Sequence, residues 1–154
     1  MAEVAIAAEA ADSTDTRALL TAYEAELVSW GVVLNHGSAG GTSPSDFAAP
    51  RGAWLVARSG SAAVGCGGVR LLDARVAELK RMYVDPSARG AGLARRLVTE
   101  LEAHARSLGA QVVRLDTGRD MTPAIALYRS CGYVEIDDYN GNPDAGWWFE
   151  KQLA

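Results

Sequence analysis

The sequence predicts a single mixed α/β domain in which helices pack on a partly antiparallel sheet. Three observations predict it. The 154 residues suffice for one hydrophobic core at ~150 residues per domain. Short apolar or alternating segments are interleaved with stretches of helical period, in the order β-α-loop-β-β-β-α-β-α-β-β. The composition, 49% hydrophobic and 22% charged, is ordinary for a globular chain.

Val4 and Ile6 alternate as in a short strand. Asp12-Ser13-Thr14-Asp15 offers side-chain oxygens to cap a helix. That helix carries Leu19, Leu20, Tyr23, Leu27, Val28 and Trp30 at a 3.6-residue beat and ends at Gly31. Residues 35–52 are rich in Gly, Ser and Pro and read as a long loop, with one helical turn after Ser43-Pro44. Loops of that length often form substrate walls. Residues 53–57, 62–72 and 76–84 follow as an antiparallel meander. Gly65, Gly67 and Gly68 mark a bulge or close backbone approach in its second strand. Pro86 turns the chain. Leu93, Leu97, Leu101, Ala105 and Leu108 then make an amphipathic helix read over 89–108 and stopped at Gly109. A strand at 112–116, a helix opened by Pro123 and stopped at Gly132, and strands at 133–136 and 147–150 complete the chain.

Several functions are disfavoured. Apolar runs such as Val32-Val33-Leu34 fall far short of the ~20 residues of a membrane helix. Met1-Ala2-Glu3 lacks the basic start of a secretory signal, so a cytoplasmic location is expected. A net charge of −4 argues against binding nucleic acid by phosphate neutralisation. Two cysteines suit buried thiols in a reducing compartment. His36 and His104 stand alone, so no metal site is expected.

The junction of strand 76–84, turn 85–88 and the following helix carries chemistry. A helix N-terminus presents unpaired N–H groups and a partial positive charge, and glycines let an anion approach it. Arg89-Gly90-Ala91-Gly92-Leu93-Ala94 fits that description, yet is neither a Walker loop nor a dinucleotide fingerprint.

The same hexapeptide resembles the Arg/Gln-x-x-Gly-x-Gly/Ala pyrophosphate loop of the GNAT superfamily of acetyl-CoA-dependent N-acetyltransferases. The strand Glu78-Leu79-Lys80-Arg81-Met82-Tyr83-Val84 leads into it, and Tyr128-Arg129-Ser130-Cys131-Gly132-Tyr133 is similar to the family's Tyr-x-x-x-Gly-Phe/Tyr element. The likeness is dense over 76–136 and architectural elsewhere. It implies a mostly antiparallel mixed sheet of six to seven strands with helices on both faces. It implies acetyl-CoA as cosubstrate, its pyrophosphate on the amides of Gly90, Ala91, Gly92, Leu93 and Ala94, with Arg89 and Arg95 alongside. The backbone of Met82, Tyr83 and Val84 would pair with the pantetheine, and one N–H near Met82 would face the acetyl carbonyl. Thr117, Ala124 and Tyr128 would complete the cofactor contacts, although Thr117 stands where many relatives carry Asn. Strand 76–84 would be bulged and splay from 112–116.

An alkyl amine of pKa ~10 is about 99.9% protonated at neutral pH, so a base must act before attack, and the leaving thiolate needs an acid. By the resemblance, Glu78 is the base, directly or through water; the plain alternative is a strand acid paired with Lys80 or Arg75. Tyr128 matches the family's acid, its alternative being a buried aromatic. Cys131 reads as a small buried hydrophobe rather than a nucleophile, and His104 as a surface residue. His36, in the loop, reads as solvated or facing substrate. One of Trp147 and Trp148 reads as core, the other as lining an acceptor pocket or a homodimer contact. Asp137, Asp138 and Asp144 read as a solvated turn or a lure for an amine. The expected acceptor is a small primary amine or amino-acid-like molecule. A protein N-terminal amine, or an acyl-CoA-binding regulatory module without turnover, are the alternatives.

Overall fold

A computed structural model describes residues 3–32 and 41–154. The strands are β1 (Val4–Ala8), β2 (Gly52–Ser59), β3 (Ala62–Leu71), β4 (Val76–Val84), β5 (Val112–Thr117), β6 (Val134–Ile136) and β7 (Trp147–Gln152). The helices are α1 (Thr14–Ser29), α2 (Leu93–Ser107) and α3 (Thr122–Ser130). All strands join one seven-stranded sheet in the order β1-β2-β3-β4-β5-β7-β6. Every pairing is antiparallel except β4 with β5. The crossover through α2 requires that exception, because a helical connection returns the chain in the same direction.

The expected element order and the meander are observed. Ser13 caps α1, its hydroxyl accepting from the Thr16 amide at 3.1 Å. The short turn Pro44–Phe47 is closed by Asp46, whose carboxylate accepts from the Ser43 amide at 2.7 Å. His36 and residues 35–40 of the expected loop lie outside the described residues.

Two apolar clusters sandwich the sheet. On one face Leu97, Leu101 and Ala105 of α2 and Tyr128 of α3 pack with Leu55, Val69, Leu79, Val113 and Phe149. On the other, Leu19 of α1 packs with Phe47, Trp54, Val56, Cys66 and Tyr83. The helical stripe of α1 is only lightly buried: Thr16 and Leu19 are covered, whereas Val28 and Trp30 are exposed. Thr16 works as a polar anchor, its Oγ1 accepting from Trp54 Nε1 at 3.0 Å in a buried setting.

One sequence expectation needs correction. The second helix starts at Leu93, not at residue 89, after a 3-10 turn over Pro86–Ala88. Gly90 and Gly92 adopt φ of 87° and 80°, the left-handed region, and this breaks the helical path that the leucine repeat alone suggested.

Replacing Thr16 by Val keeps the shape but strands the buried indole N–H. The expected loss is about 1–3 kcal/mol of unfolding free energy, measured by urea denaturation.

Candidate functional site

Gly92 is the N-cap of α2 and supplies no side-chain cap. The first intrahelical bond runs from Arg96 N to Gly92 O, so the amides of Leu93, Ala94 and Arg95 have no acceptor within the helix. A Cβ built on Gly90 or Gly92 would meet nothing within 4 Å, so the space beside these two glycines of the loop is open. The geometry is that of an anion site made from main chain.

The loop is held in place from behind. Asp85 accepts from the Ser87 amide at 3.0 Å. Arg89 turns away from the α2 amides: its Nε donates to Val84 O at 2.8 Å and its Nη2 pairs with Glu26 of α1 at 2.5 Å. Its guanidinium also lies over the Tyr83 ring, 5.7 Å from the centroid. Arg95 reaches α3, donating to Ser130 Oγ at 2.6 Å.

Beside the loop the sheet opens. β4 and β5 pair only at Val76–Val112, Ala77–Val113 and Glu78–Arg114, although both strands continue beyond. The cause is a bulge in β4. Tyr83 pairs with Cys66 and Lys80 with Gly68, so Arg81 and Met82 together oppose Gly67. Arg81 takes φ of 58°, a left-handed conformation uncommon outside glycine. Alternation is thereby reversed: Tyr83 joins the α1-side cluster and Val84 the α2-side core. Pairing with β5 ends after Glu78.

The gap's α1 side is polar and internally paired. Glu78 is fully buried. Its Oε1 accepts from Arg70 Nε at 3.0 Å, and its Oε2 accepts from the Tyr139 hydroxyl at 2.5 Å and from Asn140 Nδ2 at 3.2 Å. Lys80 sits 3.8 Å from Glu78 and donates to Asp116 Oδ2 at 2.8 Å. Asn140 also donates to Asp116 Oδ2 at 2.6 Å and accepts from Trp148 Nε1 at 3.0 Å. The register explains the set, since Arg70 faces Glu78 across β3–β4 and Asp116 faces Trp148 across β5–β7. Glu78 therefore pairs with Arg70 and stands near Lys80; Arg75, expected as an alternative, is not its partner. Arg70, Asp116, Tyr139 and Asn140 were not singled out from sequence.

Tyr128 is buried, stacked edge-on to Tyr133 at 5.9 Å and tilted against Phe149 at 6.4 Å. Its hydroxyl makes no hydrogen bond among the described residues. Burial, then the charge of nearby Tyr23 and Asp116, raises its pKa, so the phenol stays protonated across the neutral range. Tyr23 of α1 is pushed up to about 12, by burial first and then by Asp116. These two phenols, from helices on opposite faces, thus sense the same carboxylate where the sheet is split. Met82 is partly buried against the α2-side core, as is Ala124, and Thr117 ends β5.

Other expected residues are adjusted. Cys66 is buried and its thiol is pushed up to about 12 by desolvation, which makes it a poor nucleophile. Cys131 is half-buried rather than core, with Arg95 Nη1 3.5 Å from its sulfur. His104 is half-buried and lines a cleft of about 980 Å³ with Phe47, Trp54 and Leu108, which shares no residue with the α2 loop. Neither Trp147 nor Trp148 is fully buried; Phe149 between them is. Asp138 shapes the last turn, accepting from the amides of Asn140 and Gly141. Among the described residues no group of His, Cys, Asp and Glu is placed to hold a metal, and no helix is long and apolar enough to cross a membrane.

Comparison with known proteins agrees with this geometry. Residues 19–133 match the model of the Acetyltransferase (GNAT) family. An IAA acetyltransferase of Azospirillum brasilense is 40% identical over 83 residues, 53% of this chain and 54% of that protein. The chain spans about half the length of the curated relatives it matches. A Klebsiella pneumoniae structure described as an acyl-CoA N-acyltransferase is 31% identical, with 98% of each chain covered and a TM-score of 0.78. A GNAT family acetyltransferase from Elizabethkingia anophelis with acetyl-CoA bound shares the fold at 15% identity and a TM-score of 0.71, with 97% of this chain and 98% of that one covered.

Proposed function

This chain belongs to the acetyltransferase (GNAT) family, and from that premise we propose that it moves an acetyl group from acetyl-CoA to a primary amine of a small or amino-acid-like acceptor. Attack is direct, with both substrates bound together. The observation that carries this reading is the pairing of an uncapped helix N-terminus with a sheet split immediately beside it. The first can hold a diphosphate and the second can admit a thioester arm. Two free cysteines suit the reducing cytoplasm.

Acetyl-CoA supplies the activated acetyl group when bound. The amides of Gly90 to Arg95 fit its pyrophosphate, because they are unpaired by the helix and open to approach. In this reading Arg89 contributes by fixing the loop against α1 and β4, and Arg95 by its proximity. The backbone of Met82, Tyr83 and Val84, past the last β4–β5 pair, pairs with the pantetheine amides. An N–H near Met82 polarises the carbonyl. Tyr128 donates its hydroxyl proton to the departing sulfur. Glu78, or a water it orders, takes the proton the ammonium must lose. The carboxylate already accepts from Arg70, Tyr139 and Asn140, which favours the water-mediated route. In the balance, a C–N bond forms, the C–S bond breaks, one proton ends on the thiol and one leaves to solvent.

Gly92→Asp puts a carboxylate at the mouth of the amide cradle. Coenzyme A affinity, measured by calorimetry, is expected to fall at least tenfold; Gly92→Asn, which tolerates the left-handed backbone, should lose less. Unchanged affinity in Gly92→Asp removes the loop assignment.

Tyr128→Phe should reduce kcat by about 10²-fold with little change in coenzyme A affinity, read by thiol release against an amine library. Tight binding without turnover on any amine would mark a binding module instead. Glu78→Gln should lower the rate and move its pH optimum upward, because the free amine must then be supplied by solvent. An unaltered profile reduces Glu78 to scaffold.

A further inference from the structure

Charge around the split is almost fully balanced within the chain. Among the described residues, the Lys and Arg side chains that are not exposed are Arg58, Arg70, Lys80, Arg81, Arg114 and Lys151. Arg58 pairs with Glu9, Arg70 with Glu78, Lys80 with Asp116, Arg114 with Glu150 and Lys151 with Glu102. Arg81 alone of these has no carboxylate within 4 Å among the described residues, and residues 33–40 contain neither Asp nor Glu.

Its surroundings fix it in place. Nε donates to Thr42 Oγ1 at 2.9 Å and Nη2 donates to Thr42 O at 3.2 Å, so one edge of the guanidinium is held by the segment that precedes the Pro44–Phe47 turn. Nη1 donates to nothing among the described residues. The backbone beneath is the left-handed residue of the bulge. A non-glycine residue held there is strained, and such strain persists where the surrounding structure demands it. The side chain acts electrostatically on Tyr23 and Cys66, which places it on the α1 side of the split. A partly desolvated guanidinium without a counter-charge is unfavourable until an anion arrives, and its planar fork suits a carboxylate.

We propose that Arg81 anchors a carboxylate of the acceptor, so that the amine acetylated by this protein belongs to an amino carboxylate. The inference rests on the acetyl-transfer reading above for the identity of the site, and narrows its substrate class. Arg81 directly precedes Met82, whose neighbourhood receives the acetyl carbonyl in that reading. An anion held on the guanidinium therefore brings a nearby nitrogen to the same stretch of β4. Neighbouring Lys80 is already committed to Asp116 and Glu78, and Arg70 to Glu78. Among the described residues, Arg81 is thus the basic group of this site left for a ligand.

The test uses the whole chain and two readouts. The first is acetyl transfer to matched pairs, each standard amino acid against its carboxamide. The wild type should favour the carboxylate at least tenfold in kcat/KM, and Arg81→Gln should collapse that ratio toward one through KM, with Arg81→Lys recovering part of it. Equal kcat/KM within the wild-type pairs, or a ratio unchanged in Arg81→Gln, overturns the anchor. The second is calorimetric binding of the N-acetylated amino acids and of their carboxamides in the presence of coenzyme A. Selective binding of the acids that is lost in Arg81→Gln supports the anchor even where no amine turns over, a result that would sink the enzymatic reading alone. Equal binding of acids and carboxamides by the wild type overturns the anchor even where Arg81→Gln does not fold.

Discussion

The site depends on one mismatch in the sheet: Arg81 and Met82 of β4 stand against the single residue Gly67 of β3. An extra residue in a ladder leaves backbone groups unpaired, bends the strand and increases its twist. Here it also exchanges the faces to which the rest of β4 points, sending Tyr83 to the α1 side and Val84 to the α2 side. Parallel pairing with β5 ends after Glu78 and Arg114, and the two strands separate as they approach the α2 loop. The split and the helix N-terminus are thus adjacent because only residues 85–92 separate the end of β4 from the start of α2. Family membership accounts for the architecture; the bulge accounts for why its sheet is split.

Polar groups exposed by such a split must be satisfied, since an unpaired buried charge is costly. The chain solves this with a network that crosses four elements, running from Arg70 through Glu78 to Lys80, Asp116, Asn140 and Trp148. Among the described residues, no side-chain nitrogen or oxygen that is itself closed off from solvent is left without a partner. A second buried acid, Glu102 on the apolar side of α2, follows the same rule, accepting from Tyr133 and from Lys151. Balance of this kind makes Arg81, which has no carboxylate partner among the described residues, conspicuous on physical grounds.

How much of this was legible in the sequence varies with the kind of information each feature needs. The meander, α2, α3 and the loop were readable because leucine spacing, Pro86 and the glycines are local signals. The start of α2 was misplaced by four residues, since a periodic apolar pattern cannot reveal that Gly90 and Gly92 turn left-handed before it. Glu78 was visible as a candidate, but its true partner Arg70 follows from strand register, which sequence spacing alone did not fix. Tyr139 and Asn140 sit in an aperiodic turn and carried no signal, because only the folded hairpin brings them to Glu78. Arg81 looked like any strand residue, its unusual backbone being invisible until the two strands were aligned.

Gly67 ties these distant pieces into one unit of heredity. A methyl group there would come within 3.0 Å of both Leu101 on α2 and Met82 on the bulge. The hydrogen at this position therefore lets the long helix lie close over β3 while the neighbouring strand swells. Drift at position 67 is answerable to two partners at once, so a designer who wished to reshape the acceptor side would have to redraw the helix face and the bulge together, or leave all three untouched.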